Sequence, residues 1–223
     1  MTDIVHDGPT RRGLDLLRTG RRAFNDARYL VSVGADDEAG AKARSAFPTL
    51  RSAMNWLEDG PYFEQAHTQI DHAGRFVRET FGCPLLFEDG TYYQTCPVAL
   101  AHNRIGFSPG MVIKKSECSI CRNPPDTCEH ISGRMYDGKV CHRIITEADV
   151  LEVSLVYRPR QPDARIVKMS IDIAKIRRKA PDDWQPGDLV QCDNCLSDCG
   201  GVYDPANTTT PLMVGEEEET MGV

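Results

Sequence analysis

A chain of 223 residues with 40% hydrophobic and 26% charged residues has the composition of an ordinary globular protein, long enough for one good core plus an appendage. A formal net charge of -7 argues against nonspecific nucleic-acid binding as its main task, and so makes nucleic acid an unlikely partner. No apolar run approaches the roughly 20 residues that span a bilayer, and MTDIVHDGPT lacks the charged-then-apolar pattern of a secretory signal, so the expected compartment is the cytoplasm.

Residues 9–33 predict a helix, with Leu14, Leu17, Phe24, Ala27 and Val31 recurring at helical spacing. Arg11, Arg12, Arg18, Arg21 and Arg22 fall between them as a solvated face. Thr10 is the expected N-cap and Gly34 the expected stop. Gly13 and Gly20 work against the helix by about 1 kcal/mol each relative to alanine. A second helix is expected over 36–57, with Asp36, Asp37 and Glu38 in its first turn and Pro48 kinking or splitting it. A third covers 61–81 and carries His67 and His72. Five residues apart, these two point about 140° from one another and do not easily share a metal.

At Gly82-Cys83-Pro84 the period changes from helical to strand-like. Asp89-Gly90 marks a β-hairpin, and further strands are expected over 104–113, 140–145, 150–157 and 166–173. Five or six closely spaced strands predict a small, mostly antiparallel β-barrel or sandwich. The expected class is therefore α+β in three parts. Residues 1–82 are helical, 83–176 form the barrel with a metal-binding insertion at 118–142, and 177–223 hold a linker, a second cysteine group and an acidic tail. The ending GEEEETMGV is expected to be disordered, because like charges repel and cannot pack.

Nine cysteines in a reducing compartment point to metal ligands rather than disulfides, and an odd number cannot all pair within one chain. Cys118 and Cys121 have the two-residue spacing with which paired thiolates turn around a zinc ion. Cys128 and His130 complete a set of three cysteines and one histidine within thirteen residues, across the rigid Asn123-Pro124-Pro125-Asp126 loop. Cys141 and His142 are further candidates, and a set of Cys118, Cys121, Cys128 and Cys141 is open. Four protein ligands leave no position for water, so the expected role is structural. Cys192, Cys195 and Cys199 form the second group, with Cys83, Cys96, Cys141 or a histidine as fourth ligand.

The segment VLEVSLVYRPRQPDARI resembles one found in the prohead (capsid maturation) proteases of tailed phages. Leu151, Glu152, Val153, Ser154, Leu155 and Val156 carry the resemblance, with Pro159, Pro162, Ala164 and Ile166. Upstream, RIGFSPG is similar to that family's glycine-x-serine-x-glycine strand through Gly106, Ser108 and Gly110. The resemblance implies a barrel like that of the herpesvirus assemblins and makes Ser108 the nucleophile. A serine hydroxyl needs a base within hydrogen-bond reach, and His102, His67 and His72 are the candidates. On the predicted strand, Glu152, Ser154 and Val156 share one face, and Leu151, Val153, Leu155 and Tyr157 the other.

Two functions follow. One is a zinc-binding, non-catalytic interaction or assembly module that binds another protein in a phage or prophage-derived setting. The alternative is a serine endopeptidase processing an assembly partner. A helix-borne zinc hydrolase is disfavoured because no His-Glu-x-x-His pattern occurs.

Overall fold

Helical periodicity builds α1 (Gly8–Ser32), α2 (Asp36–Trp56) and α3 (Phe63–Phe81) in a computed structural model that describes residues 8–195 and Cys199. Leu17, Phe24 and Ala27 of α1 share one core with Phe47, Leu50 and Met54 of α2 and with Ile70 and Val77 of α3. Thr10 lies inside α1 rather than capping it. Pro48 does not split α2, which runs unbroken through it. The amide that proline lacks costs one helical hydrogen bond, and burial of Phe47, Leu50 and Met54 on both sides outweighs it.

The two glycines that work against α1 are where it meets α2. A Cβ on Gly13 would sit 2.6 Å from Leu57 Cδ2, and one on Gly20 would sit 2.6 Å from Leu50 Cδ2. Helix propensity is given up there so that two large leucines can lie against bare backbone.

After α3 come β1 (Leu86–Glu88), β2 (Thr91–Gln94), α4 (Pro97–Ala101) and β3 (Gly106–Cys118). Then follow β4 (Met135–Tyr136), β5 (Lys139–Val140), β6 (Arg143–Val156), β7 (Met169–Ile171) and α5 (Ile173–Arg177). The Asp89-Gly90 turn joins β1 to β2 with φ of 47° and 74°, the left-handed pair that a tight hairpin turn requires. On its other edge β2 pairs antiparallel with β7. Tyr92, fully buried beside Ile176 and Trp184, donates to Asp188 O at 2.6 Å and accepts from Gly187 N at 2.8 Å.

The expected barrel does not form. Among the described residues the strands make three separate small sheets, β1-β2-β7, β3-β6 and β4-β5. The expected strands at 140–145 and 150–157 are largely one 14-residue strand, β6, paired only with the 13-residue β3. Gly110 lies against Glu152 and Ser119 against His142, so the two run antiparallel as a long ribbon. Too few independent strands remain to close a barrel. Residues 118–142 are accordingly the end loop of this ribbon, not an insertion into a barrel. Leu151, Val153 and Leu155, expected to be a half-buried face, are 71%, 61% and 69% exposed. The basic residues Lys175 and Arg177 lie in α5, capped where Asp172 accepts from Ala174 N at 2.9 Å.

The chain divides into two compact units, one reaching to Gly106 and resuming at Tyr157, the other Phe107–Val156. In the first unit, the proline-marked segment after β6 is pinned to α2. Asn55 Nδ2 and Trp56 Nε1 donate to Asp163 at 3.0 and 2.9 Å, and Arg51 donates to Ile166 O at 2.5 Å. Buried Arg165 donates to the Pro162 and Tyr157 carbonyls and pairs with Glu58, which also accepts from buried Arg104 at 2.9 Å. In the second unit only Cys118 and Cys141 are buried. No described helix is long and apolar enough to cross a membrane. The acidic ending, 215–223, lies outside the described residues.

Candidate metal centre

The ribbon end is shaped by the residues that follow β3. Cys118 closes the strand, and the Ile120 amide approaches its Sγ at 3.3 Å. Arg122 N–H donates to Cys118 O at 2.9 Å, and Arg122 takes a φ of 65°, which turns the chain back after Cys121. Pro125–Thr127 form a single 3-10 turn that delivers Cys128. Further on, the His130 ring meets the Tyr136 ring edge-on with centroids 4.5 Å apart, and Tyr136 Oη accepts from Ile131 N at 2.9 Å. Ser119 and His142 exchange hydrogen bonds across the base of the loop, at 2.9 and 2.8 Å.

These turns bring Cys118, Cys121, Cys128 and His130 together, their ligand atoms all within 4.8 Å of one another. Cys121 and Cys128 Sγ are 3.4 Å apart, and Cys128 Sγ is 3.5 Å from His130 Nδ1. A zinc tetrahedron with sulfur ligands at about 2.3 Å has edges of about 3.7 Å, shorter where nitrogen replaces sulfur. The cluster has the size to hold such an ion. Cys141 Sγ lies 3.6 Å from Cys118 Sγ but outside the quartet, and His142 contributes backbone contacts at an exposed position.

Thiol acidity fits the same chemistry. The Cys121 backbone amide, followed by that of Ile120, holds the Cys118 thiol down to about 6. Burial pushes Cys128 up to about 11, and the neighbouring thiols Cys121 and Cys118 add to the rise. The first thiolate is favoured and the next is opposed by the charge already there; a dication removes that opposition. With four protein donors an ion has no open position for water, so the arrangement suits a structural ion.

The second cysteine group divides between two places. Cys192 N–H donates to Cys83 O at 2.7 Å, and Gln94 bridges Cys192 and Cys96 by donating to Cys192 Sγ at 3.1 Å and accepting from Cys96 N at 3.0 Å. Cys195 packs against the helical core together with Cys83 and Cys96. Burial, then Cys96, Cys192 and Cys83 in turn, push the Cys195 thiol up to about 12. Cys199 stands apart from these, with His67, Asp71 and His102.

The residues expected as bases for Ser108 all lie in the first unit. His67 and His102 turn their Nε2 atoms toward each other at 3.3 Å, within the first unit. His72, on α3, is exposed. Ser108 is half-buried on β3 in the second unit. Asp71 was missed in the sequence. Its signal is the four-residue step from His67, which puts both on one face of α3.

Comparison of the chain with family models, with curated proteins and with solved structures finds no match.

Proposed function

We propose that this chain is a zinc-stabilised protein-interaction module, with the β3–β6 ribbon as its contact surface and zinc in the Cys118, Cys121, Cys128 and His130 cluster. The observation that carries this is the ribbon's lack of a core. Only two cysteines are buried in the unit Phe107–Val156, yet Leu151, Val153 and Leu155 along one face of β6 are all exposed, as are Val112 and Val150. A two-stranded ribbon is marginal by itself in water. The ion supplies folding energy that a core would otherwise provide, and the apolar face is left for a partner. The outer edges of β3 and β6 have no strand partner among the described residues, which suits an extended segment of another protein added as a strand. The phage or prophage-derived assembly setting rests on the resemblance of residues 104–110 and 150–166 alone.

A photo-crosslinking side chain in place of Leu151 or Val153 tests the contact surface in cells of the source. The expected result is one reproducible adduct with a different protein, lost when Leu155 is changed to Lys. Adducts only between copies of this chain, or none at all, overturn the interaction function. Native mass spectrometry of protein purified without chelator tests the metal. Zinc is expected on the full chain, and its loss is expected in Cys118→Ser/Cys121→Ser.

A further inference from the structure

The cluster at Cys199 contains more electron pairs than protons. His102 Nδ1 lies 2.9 Å from Val98 O, which can only accept, so that nitrogen carries the proton and neutral His102 presents a lone pair at Nε2. Glu64 Oε2, 3.5 Å from His67 Nδ1, orients that ring in the same sense. The two Nε2 atoms nevertheless face each other at 3.3 Å. Asp71 offers one carboxylate oxygen 3.3 Å from His67 Nε2 and the other 3.0 Å from His102 Nε2. Cys199 Sγ is 3.3 and 3.1 Å from the same two nitrogens. With both imidazoles neutral, the thiol holds the only proton among the four inward-facing groups, and one proton cannot make hydrogen bonds of this many mutual contacts.

A cation at the centre satisfies all four. Nitrogen and oxygen ligands about 2.0 Å from a tetrahedral zinc lie about 3.3 Å from one another, close to the separations found. Imidazoles held through their other nitrogen by a carbonyl and a carboxylate have the outer support that metal-bound histidines use. One carboxylate and one thiolate balance the charge of a dication, and the mixed nitrogen, oxygen and sulfur set favours zinc over magnesium or calcium. We propose that His67, Asp71, His102 and Cys199 hold a zinc ion that ties Cys199 to α3 and to the end of α4.

Cys199 is exposed, so Cys199→Ser tests this without opening the core. Full-length protein is loaded with zinc and titrated with a competing chelator. In Cys199→Ser and in Asp71→Asn, one zinc equivalent is expected to leave at a chelator concentration at least tenfold lower than in the parent. Cys118→Ser/Cys121→Ser should lose a different equivalent, and the two losses should add. Helical circular dichroism identifies any variant that is unfolded, and Cys199→Ser alone decides if Asp71→Asn is. Unchanged release from a folded Cys199→Ser protein overturns the site, leaving an imidazolium–carboxylate pair in its place.

Discussion

At the scale of single residues, the ribbon cluster has five donors for four positions. The quartet whose ligand atoms lie within 4.8 Å of one another includes His130 and not Cys141, whose Sγ is 3.6 Å from that of Cys118. His130→Ala is accordingly expected to weaken zinc by more than the roughly 10- to 100-fold that a supporting group costs, and Cys141→Ser by no more than that. Competition with a chromophoric chelator measures both, and the reverse order would make Cys141 the ligand. Glu58 is a second residue on which much depends. It is the carboxylate shared by buried Arg104 and Arg165. Glu58→Gln leaves two buried cations short of a counter-charge, for an expected loss of about 3 kcal/mol. Urea denaturation followed by helical circular dichroism reads it.

Elements show where local preference and packing disagree. Gly20 is a poor helix residue, and alanine there would improve propensity by about 1 kcal/mol. The Leu50 contact at 2.6 Å opposes that gain. Overpacking costs about 1–3 kcal/mol, so Gly20→Ala is expected to lower the thermal midpoint, whereas alanine at Gly8, with nothing within 4 Å, is not. The helices and the first hairpin were legible in the sequence because their signals are local: periodicity, an acidic first turn, and Asp89-Gly90. The strand pairing was not. Two β-branched runs look like two strands, and nothing in 140–157 announces that β6 passes through Glu147, Ala148 and Asp149 without a break. Lys114 and Lys115 supply part of the reason, pairing with Asp149 and Glu147 across the ribbon at 2.7 and 2.5 Å.

At the scale of the molecule, the two units are stabilised in different ways. The first has apolar cores, around the helices and around Tyr92; the second has two buried cysteines. Metal removal should therefore act unequally. Excess chelator is expected to abolish amide-exchange protection in β3 and β6 while the amides of α1 and α2 keep theirs. Uniform loss of protection would show one cooperative unit instead. Acid should mimic the chelator. Protons compete with zinc for thiolates and imidazole, so affinity falls as pH falls, and zinc release on titration toward about pH 5 should accompany loss of ribbon protection.

The sequence by itself determined the helical first third and the cysteine-rich loop with its ligand spacing. These follow from short-range rules of periodicity, capping and two-residue thiolate spacing. Only the tertiary structure decided that residues 106–156 form an open ribbon rather than part of a barrel. It also decided that Cys199 parts from Cys192 and Cys195, and that His67 faces His102 across 35 positions of chain. The physical reason is the same in each case. A ligand set or a sheet is closed by groups distant in sequence, and their meeting depends on how helices and strands pack rather than on any local pattern.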